Sequence, residues 1–214
     1  NVNYKVKNTE LILQTLTMPQ GYTQKLMNMM ATGGAMNYDF LSFTNYKYSQ
    51  LAGDRVMNMR LPLNQTKAKA ILCVESVDYY DRGNVSNRSG LVGIADEVSD
   101  YQFFYNGQLN PSRKVDCDRI SRRQGVQQQP LIELEKALAM AGINPLSFMK
   151  FRENFCIGRA LALQQGVYNT AGRDFNLQVN YQGIRAPVKP KLWYNYVAHI
   201  RRLMVQGDSV VVQI

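Results

Sequence analysis

The side chains from which acid–base, thiol or metal chemistry would be drawn are few: one histidine, His199, three cysteines, Cys73, Cys117 and Cys156, and 16 Asp and Glu residues. His199 sits between Ala198 and Ile200 in a strand-like stretch. A nucleophilic triad would need it as base, and a transition-metal site would ask for more than one such ligand. It therefore reads as a structural or surface histidine. The cysteines have no short spacing, which argues against a disulfide framework or a zinc site. They read as three reduced, mostly buried thiols, and point to assembly in a reducing compartment. Asp116 and Asp118 flank Cys117 beside Arg119, as a surface acidic turn paired with arginines would. Asp96, Glu97 and Asp100 end a loop but are too few for a calcium loop. The sequence has no GxSxG, HExxH, Walker glycine loop or CxxC pair. The expectation is no catalytic, cofactor-binding or metal-ligating residue, and no enzyme.

Charge is the next candidate for function. The net charge is +9, which admits a polyanion partner. The basic residues are dispersed, with small clusters at Arg119, Arg122, Arg123 and at His199, Arg201, Arg202. No run is long enough for a nucleic-acid arm, so any DNA contact should be weak and non-specific. The 13 tyrosines and 8 phenylalanines, interleaved with Lys and Arg, would suit base stacking. Most fall on the apolar side of alternating strands, where core packing is the expected role. Three matches to the glycosylation pattern, at Asn64, Asn84 and Asn87, are too short a signal to weigh. No apolar run approaches the roughly 18 residues of a membrane helix.

The elements that must position these residues are mostly strands. Phe175, Leu177, Val179 and Tyr181 interleave with Asp174, Asn176, Gln178 and Asn180, the period-two pattern of a strand with one buried face. Met36, Tyr38, Phe40, Tyr46 and Tyr48 repeat it, as do Tyr101, Phe103 and Tyr105. Further strands are expected near 3–17, 54–61, 68–77, 155–163, 193–206 and 208–214. Asn106-Gly107 is a strong hairpin signal, and Gly207-Asp208 reads as a tight turn. Tyr22, Leu26, Met29 and Met30 have helical spacing over 22–32 and are stopped by Gly33-Gly34. A second helix is expected over 130–141, with Pro130 in its first turn, a stripe of Leu131, Leu134, Leu138 and Ala141, and Gly142 as C-terminal cap. Asn144-Pro145 opens a third over 145–152, with Phe148 and Phe151 inward. The sum is one all-β domain over 1–214, an antiparallel sandwich of about eight strands with insertions near 81–100 and 127–152. The helix at 131–141 has an apolar stripe that must pack on its own sandwich or on a neighbour. Asn1-Val2-Asn3-Tyr4 is neither a signal peptide nor a start, so the chain is expected to be a fragment or processed product.

Several pieces carry a family resemblance. Val6 through Leu16 resembles an opening jelly-roll strand. Tyr101 through Pro111 is similar to a strand and hairpin that ends in x-P-x-R (Asn110-Pro111-Ser112-Arg113 here). Phe155 through Leu161 resembles the strand after a helical insertion, and Asn176 through Tyr181 with Leu203 through Ile214 the closing strands. Together they resemble the second, C-terminal jelly roll of double-jelly-roll (hexon-like) major capsid proteins, in the Polinton/Maverick, polinton-like virus and virophage branch. Chains of that family are about twice as long, with two jelly rolls. The resemblance implies a structural protein of the virion, assembled inside the host cell. It would form homotrimeric, pseudo-hexameric capsomers in an icosahedral dsDNA virus shell. Its partners would be further copies, neighbouring capsomers and penton or minor capsid proteins, with no cofactor and no membrane span. Two other readings stay open: a non-viral jelly-roll binding module, lectin-like or trimeric ligand-like, and a nucleic-acid-binding β-barrel.

Overall fold

The computed structural model describes residue 10 and residues 17–77, 98–117, 128–144, 155–162, 166–181, 187, 190–206 and 209–213. The turn expected at Gly207-Asp208, the helix over 145–152 with Phe148 and Phe151, nearly all of the strand expected at 3–17 and all but the end of the loop expected at 81–100 lie outside these residues; the last three positions of that loop, 98–100, are strand instead.

The described chain runs α1 (Gln20–Ala31), β1 (Met36–Gln50), β2 (Val56–Leu61), β3 (Ala68–Val77), β4 (Val98–Tyr105), β5 (Gln108–Asp116), α2 (Gln128–Met140), β6 (Ile157–Ala160), β7 (Phe175–Tyr181), β8 (Lys191–Gln206) and β9 (Ser209–Gln213). One sheet has the order β1-β8-β3-β6, with β9 added against β8, and the other β2-β7-β4-β5. Strands 1 and 8, 2 and 7, 3 and 6, and 4 and 5 are therefore neighbours. That is one long hairpin, folded at the β4–β5 turn and rolled up, which is jelly-roll topology. The eight rolled strands match the all-β sandwich expected from sequence. Connections from odd to even strands leave one pole of such a roll, and connections from even to odd strands leave the other.

The turn at the tip is Asn106-Gly107, with φ of 49° and 77°. Tyr105 and Gln108 pair across it, so it is a two-residue loop with both central residues left-handed. Only residues such as Asn and Gly take that conformation cheaply. The core then follows from alternation. Phe175, Leu177, Val179 and Tyr181 are all buried, with half-buried polar residues between them. Across from β7, Met57, Met59 and Leu61 of β2 point inward. Tyr101, Phe103 and Tyr105 of β4 do the same. Trp193, Asn195, Val197 and His199 form the inner row of β8.

Alternation misleads in β1. Tyr46 packs against the core, but Tyr38, Phe40 and Tyr48 are exposed. The strand runs 15 residues and its neighbour β8 runs 16, whereas β2 and β7 of the other sheet run 6 and 7. A strand longer than what lies opposite leaves the Tyr38 and Phe40 end of its inward row uncovered, whereas Tyr48 stands between Tyr46 and the buried Gln50 and its exposure is not a matter of length.

Both described helices end as their glycines dictate. Gly142 has φ of 64°, its N–H bonds Ala139, and Ile143 N–H bonds Leu138. Gly33 has φ of 80°, its N–H bonds Met30, and Gly34 N–H bonds Met29. Each is the paired-bond termination that needs a left-handed residue after the helix. Helix α2 begins at Gln128, two residues before the predicted start. Pro130 therefore sits in its first turn, where N–H groups have no helical acceptor and its missing one costs nothing.

The described residues group into two units. The larger, Asp39–Arg202 with Val212–Ile214, holds the sandwich and α2. The smaller holds α1, the start of β1, the end of β8 and most of β9. Within it, Gln206 Nε2 donates to Gly33 O at 2.9 Å, and no residue of α1 is fully buried.

Candidate functional site

Among the described residues, those singled out for chemistry form no common site, although Cys73 and Cys156 come together where β3 meets the start of β6. His199 is fully buried on β8. Its Nε2 lies 2.9 Å from Thr44 Oγ1 on β1. Burial holds its pKa below the usual imidazole value, and the Arg201 charge adds to this. It is structural, not superficial. All three cysteines are free, Cys73 and Cys117 buried and Cys156 half-buried. Burial raises the Cys73 thiol well above its ordinary range and pushes Cys156 up to about 12. Thiols held protonated are poor nucleophiles.

Asp100 is a clasp between strands. It accepts Lys114 Nζ of β5 at 3.0 Å and Asn180 Nδ2 of β7 at 2.5 Å. Asp116 pairs opposite it across the β4–β5 ladder and is exposed. Asp96, Glu97, Asp118, Arg119, Arg122 and Arg123 lie outside the described residues. Among the described residues no three His, Cys, Asp or Glu side chains gather as metal ligands would. No described helix is long and apolar enough to cross a membrane.

Two buried polar clusters were not foreseen. In the first, Gln50 Oε1 at the end of β1 accepts Tyr181 OH at 2.8 Å and Trp193 Nε1 at 3.0 Å. Tyr181 OH also lies 3.2 Å from Glu75 Oε1 of β3, and Glu75 is fully buried. Desolvation of the phenol, with the Glu75 carboxylate beside it, raises the Tyr181 pKa far beyond reach. Gln50 thus ties β1, β7 and β8 at one point. The signal was in the sequence: Glu75 interrupts the apolar run Ala68–Val77 at an inward position, opposite Trp193. A buried carboxylate is kept only where it is hydrogen-bonded.

The second cluster fixes α2. Arg159 of β6 pairs with Glu133 of α2 and hydrogen-bonds the Asn110 side chain of β5. Lys136 Nζ also reaches Glu133, at 3.3 Å. The helix buries Leu134, Ala137, Leu138 and Ala141 and packs against β6, β3 and β5. Its apolar stripe is therefore satisfied by its own sandwich. What α2 offers a neighbour is its far side, where Ile132 and, just beyond the helix, Ile143 are exposed.

Exposed apolar side chains concentrate on β1. Phe40, Leu41, Phe43 and Tyr48 are all exposed. Leu41 and Phe43 share the outer face, and Phe40 and Tyr48 belong to the inward row. Leu41 Cδ2 lies 4.0 Å from where a Cβ on Gly142 would stand, so the outer pair meets the end of α2 near Ile143. Single exposed apolar residues are ordinary, but adjacent ones on one face can mark a contact surface. Lys47, on the same outer face as Phe43, stands 5.5 Å from the Tyr194 ring centroid. In the smaller unit, Met18, Tyr22, Met27, Met29, Val210 and Val211 are exposed.

No family model and no curated protein sequence matches this chain. Solved structures do. The PBCV-1 virus capsid is similar over 90% of this chain and 54% of that one, with a TM-score of 0.50 and 12% identity. The fold is that of a viral capsid jelly roll. The Sputnik virophage structure is similar over 84% of this chain and 39% of that one (TM-score 0.49, 14% identity). The mavirus major capsid protein is similar over 84% and 41% (TM-score 0.41, 12% identity). The chain spans 39–54% of the length of these solved chains. In this jelly roll, both long connections, β3 to β4 and β5 to β6, run from an odd to an even strand. They begin and end at the same pole.

Proposed function

We propose that this chain is a structural subunit of a virion shell, acting through assembly. The observation that carries this is the strand order, β1-β8-β3-β6 against β2-β7-β4-β5, shared in fold with the PBCV-1 capsid. Two further features support it. Both long connections rise from one pole of a rigid block, so they present contact segments without disturbing the core. The exposed outer-face pair Leu41 and Phe43, beside Ile143 at the end of α2, gives an apolar surface of the kind a permanent assembly covers.

The subunit is a jelly roll of a hexon-like major capsid protein, the second of two. Three such proteins form a pseudo-hexagonal capsomer in an icosahedral shell around double-stranded DNA. Its partners are further copies, neighbouring capsomers and penton or minor proteins. Contact with packaged DNA is weak and non-specific, because dispersed lysines and arginines neutralise few phosphates together. The protein carries no catalytic activity.

Light scattering on the purified major capsid protein that contains this chain tests the assembly. A mass of three protomers is expected, and a stable monomer overturns the reading. Binding to DNA should fall only shallowly between about 0.05 and 0.2 M salt and be no tighter than about micromolar at the upper value. Tight sequence-selective binding at the upper value favours the nucleic-acid-binding barrel instead.

A further inference from the structure

β1 and β8 are the first and last strands of the roll, so their pairing closes it. Among the described residues β1 is bonded in the sheet to β8 alone. At this seam sits His199, the one histidine of the chain, fully buried. Its Nε2 is engaged by Thr44 of β1 at 2.9 Å, and its Nδ1 is buried with no hydrogen-bond partner among the described residues.

A neutral imidazole suits this site. One ring nitrogen exchanges a hydrogen bond with the Thr44 hydroxyl, and the other is left bare. A second proton is disfavoured: the Ile200 backbone bond favours it, but it would leave a charged ring buried beside Arg201, and those two effects outweigh that bond.

The surroundings supply no counter-charge. On β8 the next inward position is Arg201, a like charge. On β1 the facing group is the neutral Thr44, and Asp39 is occupied by Arg202 at 2.7 Å and by Lys67 at 3.9 Å. The segment before β3 contributes Lys67, whose carbonyl accepts Ile200 N–H. On β3, Lys69 is cationic, and Glu75 lies opposite Trp193, three inward positions along β8, about 20 Å away at strand spacing. On β2, Arg60 is 82% exposed and paired with Asp174.

We propose that His199 is an acid-sensitive latch: protonation of its ring releases β1 from β8 and opens the roll at its closing seam. The inference rests on the chain's being a jelly roll and holds whether or not it builds a capsid. Burial and Arg201 both lower the imidazole pKa in the fold. The unfolded chain therefore binds the proton more readily, from an ordinary value of about 6.5. Stability is complete above about pH 7 and falls as the pH drops through 6.5, until the lowered folded value is reached. Because there is one histidine, this window has a single imidazole to account for.

The test joins two measurements on the full chain. Proton NMR of the lone imidazole should give a pKa below 6.5, and hydrogen exchange should show β1 amides losing protection between pH 7.5 and 5.5 while those of β7 keep theirs, after correction for intrinsic rates. The variant His199→Gln, which keeps a hydrogen bond for Thr44 and cannot take the proton, should retain β1 protection across the range. An imidazole pKa at or above 6.5, or equal loss of β1 protection in wild type and variant, overturns the latch. If His199→Gln does not fold, the wild-type pKa and the β1-against-β7 contrast decide the question. Failure of either leaves the trimer mass unaffected, so this proposal and the capsid reading fall separately.

Discussion

Asn106, at the tip of the long hairpin, is clasped to Asp174 at the start of β7 by two hydrogen bonds. Asn106 N–H donates to Asp174 O at 2.8 Å, and Asp174 N–H donates to Asn106 Oδ1 at 2.8 Å. The β4–β5 turn is thereby fastened to the strand that β4 pairs with, where the roll is folded back. Gly107 beside it has φ of 77° with open space around its missing Cβ. Gly107→Ala therefore tests backbone strain alone, and should cost about 1–3 kcal/mol in urea unfolding. No loss would show that the turn relaxes to another type.

Phe175 is fully buried, its ring centroid 4.5 Å from that of Tyr105 and 6.2 Å from that of Tyr168. Phe175→Ala should lose about 3–5 kcal/mol by the same measurement. A variant as stable as wild type would contradict the inward assignment of the β7 row.

Helix α2 lies against β6 so closely that a Cβ on Gly158 would stand 2.8 Å from Leu134 Cα and 3.0 Å from Ala137 Cβ. Backbone cannot yield as a side-chain tip does. Gly158→Ala should cost about 1–3 kcal/mol through overpacking, and near-ultraviolet circular dichroism should change as the helix is pushed off. An unperturbed variant would mean that α2 sits farther from the sheet.

Glu133→Ala removes the carboxylate that Arg159 faces. Arg159 is largely covered, 18% exposed at its side chain, so the loss should approach the roughly 3–5 kcal/mol of a broken buried pair. The double variant Glu133→Leu with Arg159→Met should recover most of it, since an apolar pair leaves no uncompensated charge. Equal losses in single and double variants would show that Asn110, not the ion pair, carries the contact.

Much of this fold is written locally. The β7 row, the Asn106-Gly107 turn and the glycine caps of both helices follow from period, turn chemistry and φ, which a dozen residues specify. What was not legible depends on partners distant in sequence. Tyr38 and Phe40 alternate as cleanly as Phe175 and Leu177 do. They are exposed because β1 outruns the strands opposite, which no residue in β1 reveals. Glu75 and Glu133 look like surface charges until Tyr181 and Arg159, 106 and 26 residues along the chain, are brought to them. His199 reads from its stretch alone as structural or surface, and what decides between them is Thr44, 155 residues away. For the same reason the helix at 131–141 had two admissible destinations, and the structure chose its own sandwich.

If this jelly roll builds a shell, electron microscopy of the purified protein that contains it should show particles with threefold symmetry and a pseudo-hexagonal outline, in which the eight-stranded roll fits the density at each subunit. Monodisperse single subunits, or assemblies lacking a threefold axis, would contradict it.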